Sequence, residues 1–159
     1  MTVDPGGGRV HVWPVRVYYE DTDAAGIVYY ANYLKFAERA RTELLRSCGI
    51  DHSRLAAEQG LAFAVRDCRI EYQAPARLDD ALEVRTRVLA LSGAAISIEQ
   101  SVHRGREALA RIEMRIVCVR GDGRPGRLPG AVKAAVAPFQ CGRDRAVQSN
   151  ETMAGTWKR

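Results

Sequence analysis

The 159-residue chain has no run near the roughly 18–20 apolar residues of a membrane-spanning helix, and its opening MTVDPGGGRV lacks the apolar stretch of a secretory signal. Its four cysteines, Cys48, Cys68, Cys118 and Cys141, form no C-x-x-C pair. Its three histidines, His11, His52 and His103, lie far apart, so the spacing of a zinc site is missing. No metal is expected, and a reducing cytoplasm is the simplest setting for such cysteines. The net charge is +5, yet there is no Lys/Arg block and no repeat of basic and aromatic residues. That argues against nucleic acid, and a small phosphorylated ligand accounts for the basic surplus equally well. With 47% apolar residues at this length, one domain with one core is expected.

Periodicity divides the chain. Residues 1–8 carry three successive glycines and read as a flexible N-terminus. Arg9 to Tyr19 reads as a strand, and Pro14 places it at an edge or a bulge. From about Ala31 to Cys48, the residues Tyr33, Phe36, Ala37, Ala40, Leu44 and Cys48 recur at intervals of three and four, one apolar stripe of a helix. Lys35, Glu38, Arg39, Thr42, Glu43 and Arg46 fill its other side, with Arg39–Glu43 and Glu38–Arg41 spaced to pair. Gly49 is a left-handed stop.

After a short linker the period becomes two. Cys68, Ile70 and Tyr72 alternate with charges until Pro75, and Leu82, Val84, Thr86 and Val88 follow. Beyond the Ser92-Gly93 turn come Ile96, Ile98, Gln100 and Val102. Beyond the Arg104-Gly105-Arg106 turn come Ala110, Ile112, Met114, Ile116 and Cys118. Alternation means one buried face, which is antiparallel behaviour, and no helix-length segment separates these strands for a parallel crossover. The early helix is the only long element able to cover that face. The fold class is therefore α+β, a curved antiparallel five-stranded sheet wrapped around one long helix, in a domain spanning residues 9–139. Residues 128–139 add a short helix or strand, and 140–159 form a polar, flexible tail.

Two aspartates stand just ahead of the helix in YYEDTDAAGIVYYANYLKFAERARTELL. This run resembles the signature of the hotdog-fold acyl-CoA thioesterases, in particular the 4-hydroxybenzoyl-CoA thioesterase family and its Tol-Pal-associated subgroup. The pattern D-x-D-x-x-G-x-V-x-[YH]-x-N-Y, here Asp21 to Tyr33, carries the resemblance, which extends over about residues 14–130. It implies the hotdog fold, an acyl-CoA substrate, no cofactor, and homo-oligomers (dimers or tetramers) with active sites between subunits. It implies Asp23 as the catalytic carboxylate and the backbone N–H of Tyr30 as the contact to the thioester carbonyl. The Tol-Pal-associated branch commonly has His where this chain has Tyr30, and the 4-hydroxybenzoyl-CoA branch has Tyr. Arg127 resembles a basic position presented to the nucleotide end of CoA, and Ser92-Gly93 matches a strand turn near the pantetheine and nucleotide.

The residues suit such chemistry. Hydrolysis of a thioester needs an activated water or a nucleophile, together with charge stabilisation at the carbonyl oxygen. A helix N-terminus offers unpaired N–H groups, and a carboxylate serves as general base or as nucleophile. Gly26 lets the chain turn tightly between acid and helix. Asp21 is expected to brace the loop through backbone hydrogen bonds. Tyr33 and the side chain of Tyr30 are expected to pack; His52, His103 and the cysteines have no expected role in the reaction. Two other readings keep the same fold: a hydratase or dehydratase, which pairs its acid with a nearby histidine, and a non-catalytic module that binds acyl-CoA or acyl-carrier protein.

Overall fold

A computed structural model describes residues 2–3 and 5–142. The strands are β1 (Thr2–Val3), β2 (Arg9–Arg16), β3 (Leu61–Tyr72), β4 (Ala81–Leu91), β5 (Ala95–Arg104) and β6 (Glu107–Arg120). The helices are α1 (Asn32–Ser47), α2 (His52–Gln59) and α3 (Gly130–Val136). All strands belong to one antiparallel sheet in the order β1-β2-β4-β5-β6-β3. The expected five antiparallel strands and one long helix are present. The sixth strand, β1, is two residues of the stretch expected to be loose, paired with Arg9 and Val10. The expected tail divides: Gln140 to Gly142 are described, and 143–159 lie outside the described residues. Cys141 donates its N–H to the Val88 carbonyl (3.0 Å), which β2 leaves open because its pairing with β4 reaches only Thr86.

One face of the sheet is apolar, as the alternation requires. Val84 and Val88, Ile98 and Val102, and Ala110, Ile112, Met114, Ile116 and Cys118 are all buried. Helix α1 covers this face with Tyr33, Phe36, Ala37, Ala40, Leu44 and Leu45. Each such side chain contributes roughly 1.5–3 kcal/mol when large and fully buried. The helix is also keyed polar to polar. Gln100, fully buried, donates to the Ala37 carbonyl (2.9 Å) and to Thr86 Oγ1 (2.9 Å), and accepts from Arg41 (3.1 Å).

Four departures from the expected pattern have physical causes. Helix α2 replaces the expected linker; its start is capped by Asp51, which accepts from the N–H groups of Ser53 and Arg54. Strand β3 begins at Leu61 rather than near Cys68, because residues 64–69 are exposed on an open edge and show no alternation. Glu43 pairs with Arg46 rather than Arg39, while Arg41 turns inward to Gln100 and the Met114 sulfur. A register shift at Val102/His103 lets Leu109 and Ala110 both bury, so the alternation expected of β6 is interrupted at Leu109.

Candidate active site

The acidic loop lies at the end of the sheet where Arg16 pairs with Ala81 and Tyr72 pairs with Ala110. Asp21 is 5% exposed, and its two oxygens have different duties. Oδ2 accepts the N–H of Tyr18 (2.8 Å), and Oδ1 accepts from the Asn32 side-chain amide (2.9 Å). Its carbonyl accepts the N–H of Tyr29 (2.8 Å). Asp21 thus ties the strand exit, the loop and the first turn of α1 together, which is the bracing expected of it. Carboxylate acceptors in such a site form the stronger, charge-assisted class of hydrogen bond.

Asp23, two residues on, is exposed. Its Oδ1 accepts the N–H of Ala25 (2.8 Å), the Asx-turn bond that fixes its side chain. Among the described residues Oδ2 has no hydrogen-bond partner. Its backbone N–H donates to the Ile27 carbonyl (2.8 Å), and Gly26 donates back to the Asp23 carbonyl (3.0 Å). Gly26 has φ +77°, a left-handed conformation that a side chain disfavours. The turn is therefore built from a glycine, an Asx bond and two backbone bonds, and it presents one carboxylate oxygen outward.

At the start of the helix Asn32 donates its N–H to the Tyr29 carbonyl (2.8 Å), and Leu34 donates to that of Ala31 (3.1 Å). Among the described residues no carbonyl accepts from the N–H of Tyr30. Tyr30 stands one residue ahead of the N-cap Ala31, so its unpaired N–H adjoins the positive end of the helix dipole.

A cavity of about 450 Å³ opens here, lined by Asp23, Ile27, Val28, Tyr29, Tyr30, Tyr33, Tyr72 and Pro75. Asp23 and Tyr30 thus face one space, and Gly26 shapes the turn between them. Tyr33 is buried, and its hydroxyl accepts the N–H of Ala76 (3.1 Å), so its expected packing role is met with a hydrogen bond added. Burial pushes the Tyr33 hydroxyl pKa up, and the Tyr72 hydroxyl is raised for the same reason. From sequence, Tyr72, the last alternating residue before Pro75, reads as packing alone. None of the three histidines lines this cavity.

Ser92, Gly93 and Arg127 are brought together, but elsewhere. Leu128 donates its N–H to the Gly93 carbonyl (2.9 Å), and Ala95 donates to Ser92 Oγ (3.1 Å), so exposed Arg127 sits beside the β4–β5 turn. That turn lies at the opposite end of the sheet from Asp23. The eleven residues of β4 separate the two ends by roughly 33 Å at about 3.3 Å per residue. Within one chain the two groups of residues do not form one site.

Comparison with known proteins supplies a family. The profile described as "Thioesterase-like superfamily" matches residues 17–140. The chain is similar to "Acyl-CoA thioesterase YbgC" of Haemophilus influenzae, 48% identical over 124 residues, covering 77% of this chain and 91% of that one. It is similar to "Acyl-CoA thioester hydrolase YbgC" of Escherichia coli O157:H7, 45% identical over 130 residues, covering 80% and 94%. Among solved structures, a probable thioesterase from Bartonella henselae superposes with a TM-score of 0.73 at 38% identity, covering 76% of this chain and all of that one.

Proposed function

Because the chain belongs to the thioesterase-like superfamily, we propose that it hydrolyses the thioester of a small-to-medium acyl-CoA to the free acid and CoA. One observation carries the proposal: a single cavity at the start of α1 is lined by both Asp23, whose carboxylate the Asx bond fixes, and Tyr30, whose backbone N–H is unpaired among the described residues.

The thioester carbonyl oxygen accepts from the Tyr30 N–H. As the carbon becomes tetrahedral, the negative charge gathers on that oxygen, where a pre-set donor is typically worth roughly 2.7–4 kcal/mol. Oδ2 of Asp23 takes the proton of an attacking water as the new C–O bond forms, or itself adds to the carbon to give a mixed anhydride that water then opens. In either route the C–S bond breaks and the CoA sulfur leaves as thiolate, to be protonated. Both routes use the oxygen that the Asx bond leaves free. A hydratase would place a histidine beside the acid, and no histidine lines this cavity.

The enzyme acts as a homo-oligomer joined at β3. This strand ends the sheet with one edge unpaired among the described residues, and Val65 on it is exposed. Antiparallel pairing of two β3 edges sets the Tyr72 end of one sheet beside the Leu61 end of the other. Asp23 of one copy and the Ser92, Gly93 and Arg127 turn of the next then serve one CoA, which the distance within a chain does not allow. No described helix is long and apolar enough to cross a membrane. The cysteines are all free, which fits action in the reducing cytoplasm.

The test is thiol release, followed with a chromogenic thiol reagent, over acyl-CoAs from acetyl to palmitoyl and with aromatic acyl groups. Turnover of small-to-medium acyl-CoA supports the proposal. Stoichiometric binding without release across the panel would make the chain a binding module instead.

A further inference from the structure

We infer that Tyr72 is a positioning residue for the reaction, fixing from the edge strand the backbone of Tyr30 that receives the thioester carbonyl. The inference rests on the thioesterase reading above. The Tyr72 hydroxyl donates to the Tyr30 carbonyl at 2.7 Å, across 42 residues of sequence and from the last residue of β3.

The reason is the geometry of the peptide group. There is no cis bond among the described residues, so the N–H and C=O of each peptide unit point in opposite directions. The unit joining Tyr29 to Tyr30 carries the Tyr30 N–H, and its carbonyl is held by the Asn32 N–H (2.8 Å). The unit joining Tyr30 to Ala31 is held at its carbonyl by Tyr72. Both planes flanking the Tyr30 Cα are therefore tied, one by the helix and one by β3, which restricts the two dihedrals between them. In an ordinary helix the second tie would come from an N–H four residues on. Here that N–H, from Leu34, goes to Ala31 instead (3.1 Å). Without Tyr72 the first turn is held on one side only.

The ring makes the tie rigid. Tyr72 meets Tyr33 edge-on at 5.5 Å between centroids and Tyr30 at 6.4 Å. Tyr33 is in turn held by the Ala76 N–H on its hydroxyl. Burial raises the Tyr72 hydroxyl pKa, so the group remains a neutral donor through the physiological range.

The test is Tyr72→Phe, which keeps the ring and removes the donor. Loss of an oxyanion donor costs 10²–10³ in kcat and loosening one costs less, so kcat should fall about tenfold. KM should stay within about twofold, because the hydroxyl acts on the transition state through Tyr30 rather than on CoA. The thermal midpoint should fall by no more than about 6 °C, the worth of one hydrogen bond in a domain of this size. Tyr72→Leu, which also removes the ring, should lose at least as much kcat and more thermal stability. Wild-type kcat in Tyr72→Phe would overturn the inference, as would a fall in kcat seen only with loss of the fold by circular dichroism. Absence of thiol release from the wild-type protein is a separate outcome: it overturns the thioesterase reading and this inference with it.

Discussion

Replacing Asp21 with alanine tests whether one acid holds the turn that aims the other. The substitution removes an acceptor from two donors. Asn32 is 5% exposed, so its amide is left buried without its acceptor, at a cost of roughly 1–3 kcal/mol. Tyr18 is exposed, so water replaces the lost bond to its N–H and the cost there is the net worth of a hydrogen bond, roughly 0.5–1.5 kcal/mol. Together the loss is about 1.5–4.5 kcal/mol. At roughly 2–4 °C per kcal/mol, the thermal midpoint should fall by about 3–18 °C. The assay is a circular-dichroism melt at fixed protomer concentration, since oligomer stability depends on concentration. Asp21→Asn keeps one acceptor but turns an NH₂ group on the second donor, and should fall part of the way. Asp23, exposed and bonded only within its own turn, should tolerate Asn with little change in midpoint. If Asp21→Ala melts within about 2 °C of wild type, the bracing argument is wrong.

Arg127→Ala should raise the KM for acyl-CoA and leave kcat close to wild type, because the nucleotide end does not react; a fall confined to kcat, measured by steady-state thiol release, would remove Arg127 from CoA binding. Stability should also fall with acid. Burial lowers the pKa of His11, against an opposing pull from Glu43, and lowers that of His103, with Arg85 adding to the effect. Among the described residues both Nδ1 atoms are buried without a partner. The unfolded chain protonates these histidines near about pH 6.5, while the folded chain does so only lower. Their contribution is thus complete above about pH 6.5 and is lost as pH falls through the interval down to the lowered values. Urea titrations at pH 5.5 and 7.5 should differ less for a His11→Gln, His103→Gln double variant than for wild type; an equal difference would exclude these groups as the cause.

Periodicity exposed the elements whose faces differ. Helix α1, strand β4 and strand β6 from Ala110 on set buried residues against less buried ones at a fixed interval, and the sequence carries that interval directly. The Leu61 half of β3 does not, because at an open edge neither face of residues 64–69 is covered, so nothing selects apolar residues there. Helix α2 is only eight residues and buries Leu55 alone, too little to mark a period. In the candidate site, Asp23 and Tyr30 follow from the resemblance carried by the Asp21–Tyr33 run, and what the sequence itself makes legible is the tight turn between them, because an Asx bond and the positive φ of Gly26 are local properties. Tyr72 is not legible, since its bond to Tyr30 spans 42 residues and depends on how the edge strand meets the helix. Ser92, Gly93 and Arg127 show the converse: each resembles a binding position, yet only the folded chain reveals that they stand at the far end of the sheet from Asp23.

The most direct measurement is kcat of Asp23→Asn in the thiol-release assay, alongside Asp21→Asn. Asparagine keeps the side chain's size and can still accept the Ala25 N–H, so the turn and CoA binding should survive. It offers no carboxylate oxygen to take a proton or to add to the carbonyl, a contribution typically worth about 10²–10⁴-fold. The account expects kcat to fall at least about 100-fold with KM and thermal midpoint little changed, and Asp21→Asn to lose less activity and more stability. Retention by Asp23→Asn of more than about a tenth of wild-type kcat would contradict it, because the reaction would then draw its base or nucleophile from another residue.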